Sequence, residues 1–155
     1  MKCMVKIISL LIAMIAMVST SHAAVSEDAN TFQRSDFLGT WHGKTQEDGS
    51  IVKWLIHRDT DGTYATLFLI CKDGVPDWIQ KEFGSWDYKN GIYRTITRII
   101  EDPDGRREPD TPEKTYIETY RVIILNTVMF TYVHTTKNKK YSATKVDDSY
   151  RVDCD

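Results

Sequence analysis

The chain has 155 residues, a formal net charge of −2 at pH 7, 41% hydrophobic residues and 11% aromatic ones. That balance argues against nucleic acid or an anionic membrane surface as the main partner, and it is not acidic enough to suggest disorder. The length suits one domain with one core.

Residues 1–23 have the three-part layout of a secretory leader. Lys2 and Lys6 make a basic start, Ile7–Val18 is apolar apart from Ser9, and Ser21-His22-Ala23 offers small residues where a signal peptidase reads. Twelve helical residues would span roughly 18 Å, short of the ~30 Å hydrocarbon core, so an uncleaved anchor is the weaker alternative. Cleavage is expected after Ala23, with Ala24 as second choice. No cysteine follows the apolar run, which argues against a lipid anchor. The mature protein is then secreted or periplasmic, with no membrane span. Loss of the two leader lysines makes its charge more negative, and all its tryptophans, tyrosines and phenylalanines are retained. Such an aromatic load favours strands.

Residues 24–36 read as a polar arm or a short helical turn, before a domain over 37–155. From Phe37 onward β-formers alternate with turn signals. The predicted strands are Phe37–Thr45, Ile51–Arg58, Thr63–Cys71, Trp78–Tyr88, Ile92–Ile100, Tyr116–Leu125, Val128–Thr135 and Tyr141–Val146. Asn90-Gly91 is the strongest hairpin signal among the connections. Glu101–Thr115 is rich in proline and charge and reads as a long solvated loop, with a lid or a contact surface for a protein partner as alternatives. The connections after the second, fourth and sixth strands read as tight, and the others as looser. Alternate connections of a meander lie at opposite ends, so this asymmetry describes a cup. The expected fold is all-β, an eight-stranded antiparallel up-and-down barrel, since closure removes exposed edges. An open sandwich is the alternative, but it would need more long crossing connections.

Export places Cys71 and Cys154 in an oxidising compartment, where an even pair usually bridges. Free thiols or an intermolecular bridge through Cys154 are the alternatives.

Gly39-Thr40-Trp41 resembles the G-x-W signature of the calycins, which include lipocalins, fatty-acid-binding proteins and avidins. Asp61-Gly62-Thr63-Tyr64 and Gly84-Ser85-Trp86 are similar to turns and strands of small bacterial lipocalin-like domains. The likeness spans Phe37–Val146. It implies that Trp41 lies across a closed barrel end with Gly39 as part of that floor, and that a basic residue late in the chain, Lys145 or Arg151, packs on the indole. The arginine-and-tyrosine carboxylate clamp of the fatty-acid-binding proteins has no residue-for-residue match, so no ligand carries over.

Several faces offer a lining of rings and hydroxyls. Trp54 pairs with Ile56, and Tyr64 with Thr66, Phe68 and Ile70. Tyr116 shares a face with Glu118, Tyr120 and Val122, and Phe130 with Tyr132. Side-chain alternation does not set the inward face of the sixth and seventh strands, because both faces carry apolar residues. The ligand-binding candidates are Trp54, Tyr64, Phe68, Trp86, Tyr116, Tyr120 and Tyr132, and they suit a small hydrophobic or amphipathic molecule with one polar end. A barrel filled by its own side chains is the alternative, leaving an interaction or inhibitor module that works through its loops. Arg94, Arg98 and Arg121 read as an outer wall. His134 is the residue for a further alternative, a haem-binding or enzymatic barrel. No Cys/His cluster has zinc spacing, and Asp59-x-Asp61-Gly62 and Asp102-x-Asp104-Gly105 read as turns rather than calcium loops. No nucleophile motif or phosphate loop stands out, so neither cofactor, metal nor catalysis is expected. Trp41→Ala is expected to cost stability, of order 3–5 kcal/mol, before it costs any ligand. Chemical denaturation of the variant, followed by ligand titration, measures the two effects separately.

Overall fold

The structure, a computed structural model, describes residues 32–109 and 116–155. The leader and most of the arm lie outside the described residues. A 3-10 turn, Arg34–Phe37, is followed by nine strands: β1 (Gly39–Glu47), β2 (Ser50–Arg58), β3 (Thr63–Lys72), β4 (Val75–Lys89), β5 (Ile92–Asp102), β6 (Gly105–Arg107), β7 (Ile117–Leu125), β8 (Met129–His134) and β9 (Lys140–Val146). Each long strand pairs antiparallel with its neighbours in sequence. β4–β5 and β1–β9 complete the circuit, so eight strands close an up-and-down barrel. β6 is only a short return strand on the end of β5.

Two-residue turns join β1–β2, β3–β4 and β4–β5. Asp48-Gly49, Asp73-Gly74 and Asn90-Gly91 all have positive φ at both positions, the geometry whose twist matches a right-handed hairpin. The expected looseness after the first and third strands is therefore absent. Asp-Gly supplies the same positive-φ pair as Asn-Gly, and the neighbouring polar residues belong to the strands. The cup asymmetry rests instead on the β5–β7 and β8–β9 connections. Part of the expected Glu101–Thr115 loop is also strand. Asp102-Pro103-Asp104-Gly105 folds β6 back on β5, and Arg106–Glu101 and Arg107–Asp102 ion pairs tie the hairpin. Residues 110–115 lie outside the described residues.

Phe37, expected to open the first strand, belongs to the 3-10 turn and plugs the barrel. Its ring is fully buried against Trp86, Tyr88, Tyr93 and Phe130. Its carbonyl accepts the Trp41 indole N–H at 3.0 Å. Trp41 is fully buried beside Phe130. The late basic residue over the indole is Lys145, with Nζ 5.3 Å from the ring centroid; Arg151 instead donates to the Ser149 and Tyr150 carbonyls.

After β9 the chain crosses the outside of the barrel as a strap. Thr40 donates to Asp148, and the His42 and Tyr150 rings lie 5.1 Å apart. Lys53 Nζ donates to main-chain oxygens of Asp153 and Asp155 at 2.6 and 2.8 Å. The Cys71–Cys154 disulfide, with Cα atoms 5.6 Å apart, fixes the strap to β3. The bridge encloses a sequence separation of 83, for which chain entropy gives up to about 4 kcal/mol. Cys154→Ser is expected to lower unfolding free energy by up to that amount and to make the last residues protease-sensitive. Denaturation curves and limited proteolysis measure both.

Candidate functional site

Alternation along each strand, carried through the pairing register, sets what points into the barrel. Trp54, Ile56 and Arg58 on β2 face Tyr64, Thr66 and Phe68 on β3. Glu82 opposes Thr66, and Tyr93 and Thr95 oppose Tyr120 and Glu118. Together with Thr45, Glu47, Val52, Tyr132 and Tyr141, these residues enclose a cavity of about 260 Å³. The strand ends give it a direction. Arg58 ends β2, while Tyr64 and Tyr93 are second in β3 and β5, so these three lie toward the end sealed by Phe37 and Trp41. Glu47 ends β1, and Glu118 and Tyr141 are second in β7 and β9, so these surround the opposite mouth. The β5–β6 hairpin stands at the same end as the mouth.

The walls are largely rings. Tyr120 and Tyr132 meet edge to face at 5.1 Å, and Tyr132 stacks on Tyr141 at 5.6 Å. Trp54 meets Tyr141 edge to face at 5.8 Å. Edge-to-face and offset contacts of this kind add to the burial of the rings. Trp54 fits only because residue 43 on the facing strand is glycine. A Cβ there would lie 2.1 Å from the indole. Gly43 thus makes room for Trp54, not for its own neighbour Trp41.

Three polar groups interrupt the rings. On one wall, Thr97 donates to Glu82 at 3.0 Å, which leaves its oxygen to accept the Tyr64 hydroxyl at 2.8 Å; Gln80 donates to the other Glu82 oxygen at 2.8 Å. Burial raises the Glu82 pKa above its ordinary 4.5, with the Glu118 charge adding to the effect against these hydrogen bonds. At the mouth, the main chain of Thr136 and Lys137 donates to His134 Nδ1, so the proton sits on Nε2 and is given to Glu118. Lys137 reaches the other Glu118 oxygen at 3.1 Å. Glu47 at the rim pairs with Lys139. Toward the sealed end, Arg58 is only 2% exposed. It donates from Nε to the Tyr93 hydroxyl at 2.9 Å and from Nη1 to the Phe37 carbonyl at 3.4 Å, and lies 4.6 Å over the Tyr93 ring. Burial raises the pKa of Tyr64, Tyr93, Tyr120 and Tyr132. All four phenols therefore keep their protons at neutral pH.

The cavity brings together Trp54, Tyr64, Phe68, Tyr120 and Tyr132 of the expected binding residues. Two expectations need correction. Trp86 points inward but belongs to the sealed end, packed on Phe37 beneath the Arg34 guanidinium. Tyr116 lies just before β7 and is not part of the lining. Arg94, Arg98 and Arg121 are exposed, as expected of an outer wall. Arg58 was not legible as a lining residue. It closes a strand beside the Asp59–Gly62 turn, where arginine usually faces water, although its alternation with Trp54 and Ile56 points it inward. The two ring nitrogens of His134 are both engaged, which leaves none free for a haem iron. Among the described residues no group of three or more His, Cys, Asp or Glu could hold a metal ion. The sequence matches no protein-family model and no curated protein.

The Glu82 shift sets a pH dependence. Its folded pKa is raised, so the native state holds the proton more tightly than the unfolded chain. That contribution to stability is complete below about 4.5 and is lost as pH rises through the folded value. Glu82→Gln keeps an acceptor for Gln80 and offers Thr97 a donor in place of the second carboxylate oxygen, without the charge. The variant is expected to gain in Tm over the native protein as pH rises from 4 to 8, with little difference at pH 4. Thermal melts across that range provide the measurement.

Proposed function

We propose that this protein is an exported lipocalin-like binding protein that holds a small, mostly apolar, ring-bearing molecule in its barrel. One observation carries the reading: a ring-lined cavity of about 260 Å³ lies inside a barrel whose other end is sealed by its own side chains. An apolar cavity of ~150 Å³ already admits benzene, so this one has room for a molecule of about two rings. A few placed polar groups among aromatic walls suit binding with a fixed orientation. The Gly39-Thr40-Trp41 strand, with Trp41 across the sealed end and Lys145 over it, supports the lipocalin-like assignment. The leader and the Cys71–Cys154 bridge support export, since disulfides persist in oxidising compartments. Among the described residues no helix is long and apolar enough to cross a membrane. The reading is of binding without catalysis, and the carboxylates of the lining are engaged by lysines, a histidine, a hydroxyl and an amide.

The β5–β6 hairpin, braced by its own ion pairs, stands at the mouth end of the barrel. Native mass spectrometry of protein purified from its own source is expected to show a bound small molecule that denaturation releases. Protein free of any bound molecule, together with no binding across a panel of one- to three-ring compounds, would overturn this reading.

A further inference from the structure

The inner end of the cavity is rich in donors. Arg58 is buried, and its charge meets no carboxylate within ion-pair distance among the described residues. Only two of its contacts are hydrogen bonds, to the Tyr93 hydroxyl and the Phe37 carbonyl. Tyr93 accepts from Arg58, so its own proton is free to be given elsewhere. A guanidinium and a phenol hydroxyl thus meet at the inner end of the cavity, with no anionic acceptor among the described residues. Ring faces and neutral acceptors soften the isolation of a buried cation, but they do not replace a counter-charge, and an uncompensated buried ion is costly.

The cavity's acids do not fill that role. Glu47 and Glu118 are at the mouth, paired with Lys139 and with His134 and Lys137. Glu82 is on another wall, bound by Thr97 and Gln80. Burial, helped by the Glu118 charge, disfavours the ionised form of Glu82. The mouth is therefore locally neutralised, and the positive pole stands alone at the inner end.

We infer that the ligand is an organic monoanion, an aromatic or alicyclic carboxylate, seated head-first with its acidic group on Arg58 and Tyr93 and its rings among Trp54, Tyr120 and Tyr132. This rests on the binding reading above and adds the chemical class and the orientation. A carboxylate completes the planar guanidinium fork, and such charge-assisted hydrogen bonds are about twice as strong as neutral ones.

The test is calorimetric titration of the full mature protein with three probes on one two-ring skeleton: 2-naphthoate, neutral 2-naphthamide and 2-naphthylmethylammonium. The naphthoate is expected to bind at least about tenfold more tightly than either of the others. Arg58→Gln is expected to remove most of that preference, and Tyr93→Phe, which keeps the ring, to reduce it. If Arg58→Gln does not fold, the preference of the native protein and its reduction in Tyr93→Phe still decide the matter. Equal affinity for all three probes would overturn the inference and leave the binding reading standing. Tightest binding of the ammonium would overturn it in favour of the acidic wall at Glu82. Failure of all three to bind, with a neutral or cationic molecule released from the source protein, would likewise sink the anion and keep the carrier.

Discussion

The Phe37 carbonyl is the point on which the barrel is assembled. It accepts the Trp41 indole and the Arg58 guanidinium together, at 3.0 and 3.4 Å. Its own ring, driven into the end of the barrel, organises Trp86, Tyr88, Tyr93 and Phe130 around it. A short 3-10 turn before the first strand thereby does three things. It closes one end, satisfies a buried indole and orients the single buried arginine. A polar group left unpaired in such a place would cost a few kcal/mol, so the turn and the two side chains stabilise one another.

With one end closed in this way, the long side chains that remain cannot fill the other. Packing near the floor is dense because aromatic rings from the turn and from five strands interlock there. Toward the mouth, Thr45, Thr66 and Thr95 and carboxylates engaged by lysine, histidine, amide or hydroxyl partners share the inward positions with the rings. Small side chains and outward-bound charges leave space, and the space is the cavity. Gly43 contributes in the same sense, since it lets Trp54 lie flat against β1 rather than across the lumen. Outside, the disulfide-pinned strap covers β1 and β2 and buries Lys53, so that sheet face is finished by main-chain oxygens rather than by a helix.

Much of the barrel was legible because its signals are local. Period-2 alternation and Asp-Gly or Asn-Gly turns place all eight long strands within a few residues of their observed ends. Five of the seven expected lining residues fall on the cavity for the same reason: side-chain alternation is a property of the strand itself. The misses are positional. Trp86 shares the inward face, yet depth along the barrel axis, which depends on register with β3 and β5, puts it at the floor. Tyr116 has the right alternation but precedes the paired part of β7. The β5–β6 hairpin was hidden because its short strand is made of charged residues, held by ion pairs rather than by apolar alternation.

The sequence by itself determined the strands, the Asn90-Gly91 hairpin, the order of a meander and the cysteine pair able to bridge, because each depends on neighbouring residues or on simple parity. Only the tertiary structure decided which faces of β7 and β8 look inward, that Phe37 is a plug and not a strand residue, and that Arg58 is the buried cation. Those outcomes depend on closure. Once β4 meets β5 and β9 meets β1, register fixes the depth of every inward side chain. A charge at a strand end that would face water in an open sheet then finds itself at the bottom of a cup.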